Sequence, residues 1–247
     1  MLEKIEGFVI RTQDYGETHK IVTIFSGKLG KFAIVAKGAK KPKSRMAALT
    51  QPFIYAQFLA YPAKGLGSLQ QGDILDSFRK VREDIIKTAY AAYIAELTDK
   101  LLENQEPDHY IYDQFDRTMH WIADKDEADI PVFMYELKLF QKAGFAPVVD
   151  RCASCGRSDE LSAFSVSEGG LLCRRCFSAS NDAVVLPGNL AKLLYLFTKV
   201  GLERIGNITV KQENMRLLRQ LIDAYYDQYG GYFLKSRKFL SQLDMFR

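Results

Sequence analysis

The sequence predicts an α+β protein: an N-terminal five-stranded β-barrel, then a mainly α-helical domain carrying a four-cysteine insert. Three observations predict it. The first 80 residues alternate apolar and polar positions, the residues after Arg79 repeat apolar positions every three or four, and all four cysteines lie between residues 152 and 176. We place the barrel at residues 1–79, the helical domain at 80–247 and the insert at about 150–178.

Five period-two runs carry the barrel: FVI (8–10), KIVTIF (20–25), KFAIVAK (31–37), FIYAQFLA (53–60) and SLQQGDILDSF (68–78). Gly- and Pro-containing breaks separate them: YGE, SGKLG, AKGAKKPKSRMAAL and YPAKGLG. So short a segment buries its apolar faces by closing on itself. Two topologies answer to that pattern, the five-stranded Greek-key barrel of the OB-fold and an SH3-like barrel.

Beyond Arg79, Ile86, Tyr90, Tyr93, Leu97 and Leu101 share one helical face, and Phe133, Leu137 and Phe140 another. Met215, Leu218, Ile222, Tyr225 and Tyr229 form a third. Pro107, Pro131, Pro147 and Pro187 mark the helix boundaries. We read these aromatic stripes as core.

Within RCASCGRSDELSAFSVSEGGLLCRRCF (151–177), Cys152 pairs with Cys155 and Cys173 with Cys176, 17 residues apart. Two such turns facing each other supply a tetrahedral four-thiolate set for one Zn²⁺ ion. With every coordination position filled by sulfur, that zinc is structural and not catalytic. Arg151, Arg157, Arg174 and Arg175 decorate the insert, either within reach of phosphates or, as we read each one singly, as a solvated basic rim.

Charge is distributed unevenly. Residues 1–80 hold 13 Lys+Arg against 6 Asp+Glu, whereas the rest hold 21 against 24, within a net charge of +4. Much of the excess is one loop, where Lys37, Lys40, Lys41, Lys43 and Arg45 crowd into nine positions. Such crowding is self-repulsive, and a polyanion such as nucleic acid offsets it. Gly38 and Pro42 argue against a helix here, so we expect a mobile basic finger. Arg11 and Lys20 extend the groove if their side chains share a barrel face. Five phosphate contacts on a single strand would give a logarithmic salt slope of about −3.5.

Catalytic sets are missing from the pattern. His19 falls in a hairpin loop, His109 at a helix start and His120 on a helix, none beside a nucleophile in a known arrangement. SGKLGK (26–31) lacks the upstream glycine of a phosphate-binding loop and reads as a β-turn. The chain is therefore expected not to be an enzyme. No run of 18 apolar residues occurs, and MLEKIEGFVIRTQDYGE reads as strand and not as a signal peptide, so a cytoplasmic, membrane-free protein is expected.

Four quoted stretches then carry a resemblance: the basic five-strand N-terminus, FMYELKLFQKAGFAPVVDRCASCG (133–156), GGLLCRRC (169–176) and GYFLKSRKFL (231–240). In this order, over the whole chain, they resemble the RecO family of bacterial recombination mediators, and the complete cysteine set is similar to its zinc-bearing members. That resemblance implies the OB-fold barrel over the SH3-like one. It implies a non-enzymatic DNA-repair protein that binds single- and double-stranded DNA, anneals complementary strands and, with RecR, helps load RecA onto DNA coated by single-strand binding protein. Association with the nucleoid during repair goes with that role.

A second surface is expected at Lys235, Arg237 and Lys238 beside Phe233, Phe239 and Leu240. Cations next to apolar side chains suit the acidic C-terminal tail of single-strand binding protein. The same cations alternatively cap the last helix or touch DNA. A different class, a zinc-ribbon RNA-binding or transcription adaptor protein, would share the basic barrel and the cysteine set.

Overall fold

The structure, a computed structural model, describes residues 1–206 and 208–244. The chain forms two compact units: residues 1–128 with the segment from Leu234 onward, and Asp129–Phe233.

The first unit begins with β1 (Glu3–Tyr15), β2 (His19–Ser26), β3 (Gly30–Ala36), α1 (Arg45–Leu49), β4 (Tyr55–Tyr61) and β5 (Leu66–Asp76). The strands close into a barrel in the order β1-β2-β3-β5-β4, with β1 also pairing β4 and β3 running parallel to β5. This is an OB-like barrel. Its interior is filled by one side chain in two from each strand, among them Ile5, Val9, Val22, Ile24, Phe32, Ile34, Ala56, Phe58 and Leu69.

Strand limits differ from the sequence pattern, for local reasons. β1 is 13 residues long where only residues 8–10 alternate visibly. A register shift between Val9 and Arg11 buries Phe8, Val9 and Ile10 in succession, which breaks the alternation. Gly7 contributes no side chain because a Cβ there would lie 2.5 Å from the Phe25 carbonyl oxygen. β4 starts at Tyr55 and not at Phe53, since Phe53 turns the chain at φ 68° and donates its N–H to Val9 O at 2.8 Å. β5 stops at Asp76, and Phe78 leaves the barrel at φ 46°.

Three helices complete this part: α2 (Arg79–Glu83), α3 (Ile85–Leu101) and α4 (His109–Asp124). Asp84 caps α3 by accepting from Ile86 N at 2.8 Å, and Asp108 caps α4 by accepting from Ile111 N at 3.0 Å. Phe115 of α4 meets Phe8 and Phe25 from the outer barrel face edge-on, with centroids at 5.2 and 5.4 Å.

The second unit is built on α5 (Asp129–Lys142), whose residues from Pro131 to Phe140 are all buried. Then come β6 (Leu161–Ser165), β7 (Gly170–Cys173), α6 (Arg174–Phe177), β8 (Val184–Val185), α7 (Leu190–Lys199), a 3₁₀ turn (Leu202–Arg204) and α8 (Gln212–Tyr229). Phe133 packs on Phe197, and Phe140 on Tyr226, at centroid distances of 6.0 and 5.5 Å.

Within α5, two charged residues of the FMYELKLF run are buried, and each is tied to another helix of the unit. Glu136 meets Arg219 of α8, and the Lys138 ammonium donates to the Phe197 and Thr198 carbonyls of α7 at 2.9 and 2.6 Å.

The last helix, α9 (Lys235–Asp244), belongs with the barrel and packs on α3. Its N-terminus is capped by Glu96 of α3, which accepts from Ser236 N at 2.8 Å and from Ser236 Oγ.

Candidate nucleic-acid interface and metal centre

The basic loop is a folded ridge. After β3 ends at Ala36, Gly38 turns the chain at φ 70° and its N–H donates to Nδ1 of His19 at 2.9 Å. His19 is thus the first residue of β2, not a loop residue. Ala39 is 1% exposed and its methyl joins the barrel core, while Lys40 N donates to Thr18 O at 2.9 Å. With Ala39 held inward, Lys37, Lys40, Lys41, Lys43 and Arg45 are all exposed.

This corrects the expectation of a non-helical finger. Gly38 and Pro42 restrict only the first half of the loop; Ser44 then accepts from Met46 N at 3.2 Å and starts α1, which Leu49 anchors in the core. Arg45 opens that helix, where the dipole disfavours a cation and no acid stands in the first turn.

Lys40 is partly neutralised: its Nζ lies 2.7 Å from Asp14 Oδ2. The hydrogen bond from Lys40 holds the Asp14 carboxyl below the usual carboxylate range.

Arg11 and Lys20 do not share a face. The register Arg11↔Thr23 and Asp14↔Lys20, with side chains alternating, puts Arg11 outward with Gln13 and Tyr15, and Lys20 on the opposite side with Asp14. Arg11 is moreover engaged, donating to Asp99 of α3 at 3.2 Å and to Gln13 at 2.7 Å.

In the second unit the cysteines converge. All four Sγ atoms of Cys152, Cys155, Cys173 and Cys176 lie within 4.8 Å of one another, with Cys155 and Cys173 at 3.7 Å. Tetrahedral coordination at about 2.3 Å needs sulfurs about 3.8 Å apart, so the set fits a four-sulfur metal site. β7 delivers Cys173, and the turn closed by Gly156 N donating to Cys152 O at 2.9 Å aims the first pair.

The backbone N–H of Cys176 draws the Cys173 thiol down to about 6, while a hydrogen bond with the Cys155 side chain pushes Cys176 up to about 12. Four sulfurs this close ionise together only around a positive charge. Arg157 belongs to this centre and not to a solvated rim: its Nη2 donates to Cys173 Sγ at 3.6 Å.

The insert is also less loop-like than expected. β6, β7 and β8 form a three-stranded sheet that reaches Val185. Asp182 braces it by accepting from Ser165 Oγ at 2.6 Å and Ser167 N at 2.8 Å. Burial would raise that carboxyl, but these hydrogen bonds outweigh it and hold it far below the usual range.

On α9, Lys235 and Lys238 are exposed, Arg237 is half-buried and Phe239 is 39% exposed. Leu240 is not part of an exposed patch: Ser236 and Leu240 form the buried side of the helix, and Leu234 just before it is buried as well. The cations stand at the N-terminal end of α9, where the dipole repels them, so they do not cap it.

Against known families, residues 1–78 match the model described as Recombination protein O N terminal, and residues 82–238 match Recombination protein O C terminal. The chain belongs to the RecO family. The DNA repair protein RecO of Oceanobacillus iheyensis is 60% identical over 246 residues, covering 100% of this chain and 95% of that protein. Those of Bacillus cytotoxicus and Bacillus cereus are each 45% identical over 249 residues, covering both chains fully.

RecO membership accounts for the pairing of an OB-like barrel with a helical, cysteine-bearing region. Sequence reasoning missed the buried charges Glu136, Lys138 and Arg219. A Glu and a Lys inside an otherwise apolar helical run were the available signal for the first two. Among the described residues no helix is long and apolar enough to cross a membrane.

Proposed function

We propose that this chain is a non-enzymatic recombination mediator that binds single- and double-stranded DNA and anneals complementary strands. One observation carries the reading: five cations stand exposed on a single hydrogen-bonded ridge at the end of an OB-like barrel in a RecO-family chain. Lys37, Lys40, Lys41, Lys43 and Arg45 neutralise successive phosphates, with Lys20 adding charge from the Asp14 side. Arg11, held by Asp99, contributes only by exchanging that partner. Gripping backbones screens the repulsion between two strands and leaves their bases free to pair, which requires no bond to be broken.

The barrel (1–79) is the DNA-binding domain, and residues 80–247 carry the metal centre and the partner surfaces. The four cysteines hold one Zn²⁺ ion, whose chemistry here is structural: it fixes two turns and leaves no open position. Lys235, Arg237 and Lys238, with Phe239, dock the acidic C-terminal tail of single-strand binding protein. RecR is the companion with which RecA is loaded, in the cytoplasm at the nucleoid.

The test mixes purified protein with complementary strands at low salt, bare or coated with single-strand binding protein. Accelerated pairing on both is expected. Absence of acceleration on bare strands overturns the reading, and equal activity on RNA would favour an RNA-binding adaptor.

A further inference from the structure

The outer face of β1–β2–β3 is ordered in rows. Arg11, Gln13 and Tyr15 stand opposite Thr23, Ile21 and His19, and Ala33 and Val35 continue the first two rows on β3. Most of this face is covered. At one end Phe25 packs on Tyr112 and Phe115 of α4. In the middle Asp99 of α3 holds Arg11 at 3.2 Å and Lys31 at 3.5 Å, and Thr23 is 8% exposed.

The open end is the β1–β2 hairpin tip, where Tyr15 is 49% exposed. That tip and the basic ridge are joined by three contacts. They are Lys40 N to Thr18 O and Gly38 N to His19 Nδ1, both 2.9 Å, and the 2.7 Å ion pair of Lys40 with Asp14. Tyr15 therefore lies on the face where Gly38 of the ridge docks on His19, while Lys40 reaches Asp14 on the other face, so a strand crossing the hairpin tip meets the ring and the ridge in succession.

We propose that Tyr15 is a base-stacking residue, its ring taking the face of an unpaired base in a single strand whose phosphates lie on Lys37–Arg45. This rests on the ridge being the phosphate contact. Every base offers a π-face, so such a contact is indifferent to sequence, and a tyrosine offers its ring with few rotors to immobilise. A duplex hides its base faces. Tyr15 thus separates single strands from duplexes, which phosphate contacts alone do not do.

The experiment measures equilibrium binding of the full chain to a short oligothymidylate, to an abasic strand of equal length and to a duplex. Tyr15→Ala should weaken oligothymidylate binding by about 5- to 100-fold. The abasic strand and the duplex should bind it as they bind the parent, and Tyr15→Phe should retain affinity. The emission of a Tyr15→Trp chain should be quenched by oligothymidylate and not by the abasic strand.

Parent-like binding of oligothymidylate by Tyr15→Ala, with Lys40→Gln/Lys41→Gln/Lys43→Gln weakened on both strands, overturns stacking and leaves the ridge reading standing. Equal weakening of Tyr15→Ala on all three ligands assigns the ring a structural role and also overturns stacking. A triple variant that binds both strands like the parent removes the ridge contact, and stacking as stated with it.

Discussion

Arg219 Nη2 lies 2.6 Å from Glu136 Oε2, and the Glu136 side chain is 0% exposed. The same guanidinium is 3.2 Å from Asp223 and stands over the Phe133 ring at 5.2 Å. A carboxylate buried in α5 is thus held by a cation from α8. Removing the cation alone strands the charge, so Arg219→Met should destabilise the second unit by about 3–5 kcal/mol. Glu136→Leu with Arg219→Met should recover much of that loss, because two apolar groups need no desolvation of ions. Hydrogen exchange of the α5 and α8 amides reads the effect within this unit; parent-like protection in Arg219→Met would show that the pair does not hold the helices together.

Lys138 gives stability an alkaline signature. Burial lowers its ammonium from 10.5 to about 8. Between these values the unfolded chain still holds the proton that the folded chain has released, so this group's contribution to stability rises with pH from about 8 to 10.5 and is flat on either side. Lys138→Met removes the donor to the Phe197 and Thr198 carbonyls, costing about 1–3 kcal/mol. It also removes the desolvation of the ammonium, so the variant should fall short of the parent by more at pH 10 than at pH 7.5. Urea titrations of both chains at the two pH values measure this; a deficit independent of pH would show that Lys138 does not titrate with folding.

These two charges show where the sequence stops being legible. The cysteine spacing pointed to the candidate metal site because all four cysteines lie within 25 residues, and period-two alternation gave the barrel wherever a strand has one wet face. Glu136 and Lys138 find their partners some 80 and 60 positions away, at Arg219, Phe197 and Thr198, and no local pattern encodes such a meeting. Likewise β1 escaped because its bulge buries three consecutive residues, and because Gln13, Asp14 and Tyr15 run past the core with both faces exposed. That α9 packs on α3, with Ser236 bonded to Glu96 140 positions upstream, is tertiary information as well.

Removing the metal should unfold the insert and spare the barrel. The cluster buried on the cysteine side of the small sheet is Cys152, Ala163, Leu172 and Cys173, so half of it consists of ligands, while Phe164 and Leu171 are buried on its other face. Cys173→Ser, or chelation, should abolish metal binding by elemental analysis and open residues 152–185 to protease. Oligonucleotide binding by the basic ridge should persist, since that ridge is fixed by barrel contacts. An apo chain whose insert resists protease as the holo chain does would show that the small sheet stands without the ion.

The ridge makes a quantitative statement about salt. Each cation that displaces counterions from a single strand adds about 0.7 to the logarithmic salt slope, so Lys40→Gln/Lys41→Gln/Lys43→Gln should flatten it by up to about 2.1. The loss should fall below that bound because Lys40 already faces Asp14 at 2.7 Å and must exchange a carboxylate for a phosphate. Asp14→Asn releases Lys40 from that competition, so it should bind single strands more tightly and with a steeper slope than the parent. The opposite signs of the two variants matter. Non-specific loss of structure weakens binding in both, whereas a phosphate contact at Lys40 weakens one and strengthens the other; parallel weakening would place the strand elsewhere on the protein.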